Sequence, residues 1–160
     1  MKDLLLRQID FPFACTYCGE MAEGRDHTIP QSYHKLSTII SVDGVVVNPV
    51  VCVCVPCCKS CNSILGDSPE WILGRRVLEL KRRMIDGRYG RVLGQVIWTD
   101  EELDELGPTL RSHVEVENNK ALTARRRYAY YPPSDFVREV ELQQIKSDLE
   151  CMAEINRREQ

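Results

Sequence analysis

Two Cys-x-x-Cys knuckles, Cys15-Thr16-Tyr17-Cys18 and Cys58-Lys59-Ser60-Cys61, bracket an Asp26-His27 dipeptide, and Asn62 follows the second knuckle directly. Two such knuckles from separate parts of a chain are a common donor set for a tetrahedral zinc ion. Four thiolates saturate the ion and leave no position for water, so a zinc held by Cys15, Cys18, Cys58 and Cys61 would staple the fold and do no chemistry itself. A competing pair, Cys54-Val55-Pro56-Cys57, has the same spacing and overlaps the second knuckle. Asn62 and the helix-like run after it favour Cys58 and Cys61, with Cys54 and Cys57 as the alternative. In the favoured reading Cys52, Cys54 and Cys57 are small buried hydrophobes. The alternation of Cys52 and Cys54 with Val51, Val53 and Val55 predicts a half-buried strand.

The residues between the knuckles carry a resemblance. Arg25-Asp26-His27-Thr28-Ile29-Pro30-Gln31-Ser32, framed by the knuckles and closed by Cys61-Asn62, resembles the HNH endonuclease family and its ββα-metal fold, over about residues 13 to 68. The variant it looks like is the phage endonuclease VII type, in which a four-cysteine zinc and a terminal Asn occur together. The resemblance implies an Asp-His pair on the first strand of a hairpin and a last ligand at the start of the following helix. By position it makes Asp26 and Asn62 ligands of a catalytic divalent cation, magnesium or manganese, with His27 as general base. Asn48 would be the family's middle Asn, which holds the loop between strands, although the interval from Asn48 to Cys58 is longer than the pattern has. DNA is the implied partner, in the cytoplasm of a bacterial or phage-infected cell.

These residue types suit the chemistry in their own right. Hydrolysis of a phosphodiester needs a nucleophilic water, a base that titrates near neutrality, and a cation to take the charge that builds on the phosphate and leaving oxygens. Imidazole is the side chain for the second task. A carboxylate and an amide are hard oxygen donors for a magnesium-like ion, which keeps several waters and a substrate phosphate around it. Adjacent residues on a strand point to opposite faces, so Asp26 and His27 share a site only if the strand kinks or the two flank the phosphate. The other reading of the same residues is a zinc-stabilised binding module without catalysis, which has no need of Asp26, His27 and Asn62 together.

At 160 residues the chain suits one domain, or a metal-stapled module with a helical extension. Eight cysteines would suggest disulfides in a secreted protein, but Leu4-Leu5-Leu6 is too short an apolar run for a signal peptide, so a reducing compartment fits better. The apolar run from Leu36 to Val55 is interrupted by Asp43, Gly44, Asn48 and Pro49 and is rich in β-branched residues, which favours strands over a membrane span. Asp43-Gly44 between two such runs predicts a hairpin. The net charge of −3 argues against a protein that coats DNA broadly. Its distribution is uneven, with residues 71–91 and 119–131 basic and the rest acidic.

The expected class is α+β, with a zinc-stapled ββα-metal module over 1–70, a partly basic helical extension over 71–131, and an amphipathic helix over 132–160. Leu73, Val77, Leu80 and Met84 recur at helical spacing from Glu70 to Asp86, with Ser68 or Asp67 as cap and Pro69 in the first turn. Arg75, Arg76, Arg82 and Arg83 fall seven apart in pairs, which predicts a shared face away from that stripe and a contact with the phosphate backbone. Thr99 opens a short acidic helix. A helix over Thr109 to Ala124 leads into Arg125-Arg126-Arg127 with Tyr128, Tyr130 and Tyr131, a cluster suited to nucleic acid or to core packing. Beyond Pro132-Pro133, Leu142, Ile145, Leu149 and Met152 predict a helix that docks on the body or pairs with a second copy.

Overall fold

The computed structural model describes residues 7–8, 14–28, 40–42, 45–47 and 53–158. The chain is mixed α and β. Among the described residues, strands β1 (Arg7–Gln8), β2 (Gly24–His27), β3 (Ile40–Val42), β4 (Val45–Val47) and β5 (Val53–Cys57) come before the helices. These are α1 (Lys59–Leu65), α2 (Leu73–Asp86), α3 (Arg88–Leu93), α4 (Asp100–Asp104), α5 (Pro108–Ala129) and α6 (Ser134–Arg158).

One sheet has the order β1-β5-β2, and β3 pairs with β4 in a separate antiparallel ribbon, Val42 opposite Val45. The paired strands are the two β-branched runs on either side of Asp43-Gly44, as the hairpin signal predicts, and Asp43 and Gly44 themselves lie outside the described residues. β5 runs parallel to β1 and antiparallel to β2, with Gly24 opposite Cys57 and His27 opposite Cys54. Val51 and Cys52 lie outside the described residues, and over residues 53–57 the alternation expected of a half-buried strand does not hold. Val53, Cys54, Val55 and Cys57 are all buried, because β5 is the middle strand and is covered on both faces.

β5 passes through Cys58 straight into α1. Cys58 is the N-cap, and its Sγ accepts from the Cys61 amide at 3.5 Å. α2 packs on α1, and Leu73, Val77, Leu80 and Met84 are its buried stripe, as the spacing predicts. The helix starts at Leu73 and not at Glu70. Its N-cap is Ile72, without a side-chain cap, while Ser68 is fully buried in the turn before it. α3 follows after a sharp elbow that the sequence reading missed, and Gly90 makes it possible, since a Cβ there would lie 2.1 Å from the Ile85 carbonyl oxygen. Thr99 and Glu102 form the reciprocal capping box that starts α4. α5 begins with Pro108 in its first turn and continues five residues past Ala124, taking in the three arginines.

A single core joins these parts. Cys15, Tyr17, Val55, Leu65, Leu80 and Val140 belong to one buried cluster, so the core crosses the boundaries expected at 70/71 and 131/132. α6 docks through Phe136 and Val140, while Leu142 and Ile145 are about half exposed. Among the described residues no helix is long and apolar enough to cross a membrane.

Candidate functional site

The knuckles meet. The Sγ atoms of Cys15, Cys18, Cys58 and Cys61 all lie within 4.8 Å of one another, and Cys18 and Cys58 are 3.7 Å apart. A tetrahedron with metal–sulfur bonds of about 2.3 Å has edges of about 3.8 Å, so the donor set has the size a thiolate-bound ion needs. All four are buried. Without a cation the thiols cannot ionise together: Cys58 is drawn down by contacts from Cys15, Cys18 and Cys61, while Cys61 is pushed far up by Cys15, Cys18 and Cys58. A divalent ion resolves that conflict, and these four cysteines could hold one. The alternative pair is excluded from this cluster. Cys54 lies on β5 opposite His27, and Cys57 turns its thiol to the Cys58 carbonyl at 3.3 Å.

The first knuckle closes on Gly19, whose φ of +73° favours glycine, and the Tyr130 ring packs so close that a Cβ there would lie 2.8 Å from it. The knuckle is also gripped from the helical side. Lys81 Nζ, buried, donates to the carbonyls of Tyr17 (3.3 Å) and Arg127 (2.8 Å). Arg127 Nη2 lies 3.4 Å from Cys58 Sγ and 3.7 Å from Cys61 Sγ. Arg126 pairs with Glu20 at 2.6 Å, and Arg125 donates to the carbonyls of Leu93 and Gln95. The three arginines are thus spent on internal contacts, with Lys81 stacked over Tyr131 and Tyr128. Of the two roles expected for the basic-aromatic cluster, nucleic-acid contact or packing, these contacts are of the second kind, and Arg127 is the member that reaches the cysteine sulfurs.

Asp26 is also bound. It is only 3 % exposed, and its carboxylate accepts from Tyr17 Oη (2.5 Å), Arg76 Nε (2.7 Å) and Arg76 Nη2 (2.9 Å). The Arg76 fork also reaches the Ser68 and Glu70 carbonyls through Nη1. Burial opposes the Arg76 charge, yet Asp26 outweighs it and holds the guanidinium above its ordinary pKa. Burial, then the Asp26 charge, push the Tyr17 hydroxyl well up, so it stays a donor. These three bonds occupy most of the roughly four lone-pair sites of a carboxylate. One direction on Oδ1 remains.

The shared arginine face is overturned. Successive helix residues turn by about 100°, so Arg76 and Arg83 lie within roughly 80° of the Leu73–Leu80 line while Arg75 and Arg82 lie opposite. Arg76 is fully buried, which removes it from any phosphate contact. Arg83 pairs with Glu79 at 2.6 Å and donates to the Ile64 and Leu65 carbonyls at the end of α1. Arg82 pairs with Glu79 and Asp86 in solvent. Arg82 and Arg83 together pull Glu79 down to about 2. Arg75 is exposed.

His27, half-buried, closes β2, and Asn62 is exposed on α1. Asn48 lies outside the described residues. Sequence reasoning missed Tyr17, Arg76, Lys81 and Arg127 as partners of these groups. The signal for Arg76 was present, since three and four residues separate it from Leu73 and Leu80 on the buried stripe. No family model, curated protein or solved structure among those compared with the chain matches it.

Proposed function

We propose that the protein is a metal-dependent endonuclease of the HNH type, with a structural zinc on Cys15, Cys18, Cys58 and Cys61. One observation carries this reading. An Asp-His strand, β2, pairs antiparallel with β5, which runs directly into the helix that bears Asn62, and the cysteine set pins the knuckle before β2 to that helix. This is the strand–strand–helix order that the sequence resemblance implies.

In this reading His27 accepts a proton from a water that attacks a DNA phosphorus, the phosphorus–oxygen bond to the leaving sugar breaks, and a second water protonates the departing oxygen. The catalytic magnesium or manganese ion would be held by Asn62 and the remaining Oδ1 direction of Asp26, and when bound it supplies charge stabilisation for the phosphate. Such a lean protein set suits magnesium, which keeps most of its shell for water and phosphate. Tyr17 and Arg76 fix the carboxylate and shield its charge. Backbone phosphates would meet the outer face of α2 at Arg75 and Arg82. The same reading places the protein in the cytoplasm, with α6 available for a homodimer through Leu142 and Ile145.

The engagement of Asp26 by Arg76 and Tyr17 favours a second reading, a zinc-stabilised module that binds nucleic acid or protein without cutting. Incubating zinc-loaded protein with supercoiled plasmid and with branched DNA, with and without magnesium or manganese, separates them. Nicked or linear product that requires the added cation supports the nuclease. Bound but intact DNA under every condition supports the module.

A further inference from the structure

A divalent ion in four thiolates carries a net charge of −2 in a buried site, and burying such a charge is costly unless it is compensated. Two buried or half-buried cations meet it, both from the helical part of the chain. Arg127 sets Nη2 against Cys58 and Cys61, and Nη1 lies 3.3 Å from the Tyr89 hydroxyl with the guanidinium over that ring. Lys81 ties the backbone inside the first knuckle to the Arg127 carbonyl. Arg127 Nε is buried without a hydrogen-bond partner, so the guanidinium is aimed by the sulfurs at the expense of one of its own donors. The acidic groups paired with this end of α5 are Glu20, on Arg126, and Glu117, on Lys120, and neither is among the described hydrogen-bond partners of Arg127 or Lys81.

We propose that Arg127 and Lys81 form a cationic clamp on the metal–thiolate centre, so that metal loading and docking of the C-terminal end of α5 are one coupled event. Zinc then organises the helical extension as well as the knuckles. With the ion gone, the four sulfurs lose the atom that gathers them, and Arg127 and Lys81 lose the fixed arrangement of sulfurs and knuckle backbone that they grip. The coupling is reciprocal, so whatever zinc adds to the docking of α5, the docking adds to zinc affinity. The inference rests on the four-cysteine metal reading and is independent of whether the protein cuts DNA.

Hydrogen exchange on the full chain, zinc-loaded and after zinc removal, tests it directly. The last turns of α5, residues 120–129, should lose protection together with the knuckles and regain it on addition of zinc alone. In parallel, Arg127→Met should weaken zinc binding about ten- to a hundredfold, with Arg127→Lys restoring part of it. Arg111→Met, at the far end of α5 in exposed pairs with Asp104 and Glu115, should leave it unchanged. With cobalt(II) in place of zinc, Arg127→Met should shift the sulfur-to-metal charge-transfer band, a change that loosened packing alone would not produce. The clamp is overturned if residues 120–129 stay equally protected without zinc, or if Arg127→Met holds zinc as tightly as the parent. Should Arg127→Met fail to fold, the exchange experiment on the unmodified chain decides alone.

Discussion

Replacing Arg76 with Met tests the buried ion pair at the heart of the site. Met fills much of the aliphatic stem but removes both bonds to Asp26 and those to the Ser68 and Glu70 carbonyls, leaving a carboxylate that is 3 % exposed with Tyr17 as its only described donor. Removing one partner of a buried pair costs about 3–5 kcal/mol, because the other charge is left without compensation. A domain of this size has a total stability of about 5–15 kcal/mol, so the variant should sit close to its unfolding threshold. Asp26→Ala should cost a similar amount, since it strands the guanidinium instead. The double variant should cost much less than the sum, with a coupling of about 3 kcal/mol, since neither charge then remains. Urea unfolding of the zinc-loaded proteins measures all three. Additivity within about 0.5 kcal/mol, or an Arg76→Met penalty below about 1 kcal/mol, would refute the pair as a stabilising unit.

Three further outcomes follow from the same contacts. Cys58→Ser should lose stoichiometric zinc, whereas Cys57→Ser should keep it; the reverse pattern would move the site to the overlapping pair. Tyr17→Phe should cost about 1.5–3 kcal/mol at neutral pH by removing a hydrogen bond to a charged group. Because the folded Tyr17 pKa is raised, its share of stability is present below about pH 10 and is lost as pH rises beyond it, so the alkaline fall in stability should be shallower in the variant. An unchanged alkaline limb would contradict this. Gly19→Ala should lower Tm by about 4 °C or more, since Cβ would strain the positive φ and lie 2.8 Å from the Tyr130 ring; a Tm equal to the parent's would mean that the knuckle relaxes freely.

The four-cysteine cluster was legible because chelation imposes spacing. Cys15, Cys18, Cys58 and Cys61 announce themselves as knuckles, and Asn62 with the helix behind it selected Cys58 over Cys54. The strand pair flanking Asp43-Gly44, the capping box at Thr99 and the apolar stripe of α2 follow local rules, and each is present. What the sequence concealed was long-range. Arg76 reads as surface by its type, yet its position on the Leu73–Leu80 face aims it inward, and its partner Asp26 lies 50 residues away. Arg127 belongs to a run that looks like a phosphate patch, and only the fold of α5 against the knuckles turns it toward sulfur. The middle position of β5 likewise depends on β1, a two-residue strand that no periodicity could reveal.

The central claim is that His27 performs proton transfer in a cation-dependent cut. Single-turnover cleavage of a labelled duplex by His27→Ala, beside the parent and Asn62→Ala, measures it most directly. The account predicts that His27→Ala keeps zinc, fold and DNA affinity while its rate falls about a hundred- to ten-thousandfold, the contribution of a general base. Asn62→Ala should instead recover part of its rate at higher magnesium, because it lacks a ligand and not the base. A His27→Ala protein that cuts as fast as the parent, or a parent that cuts no DNA with any added cation, would contradict it.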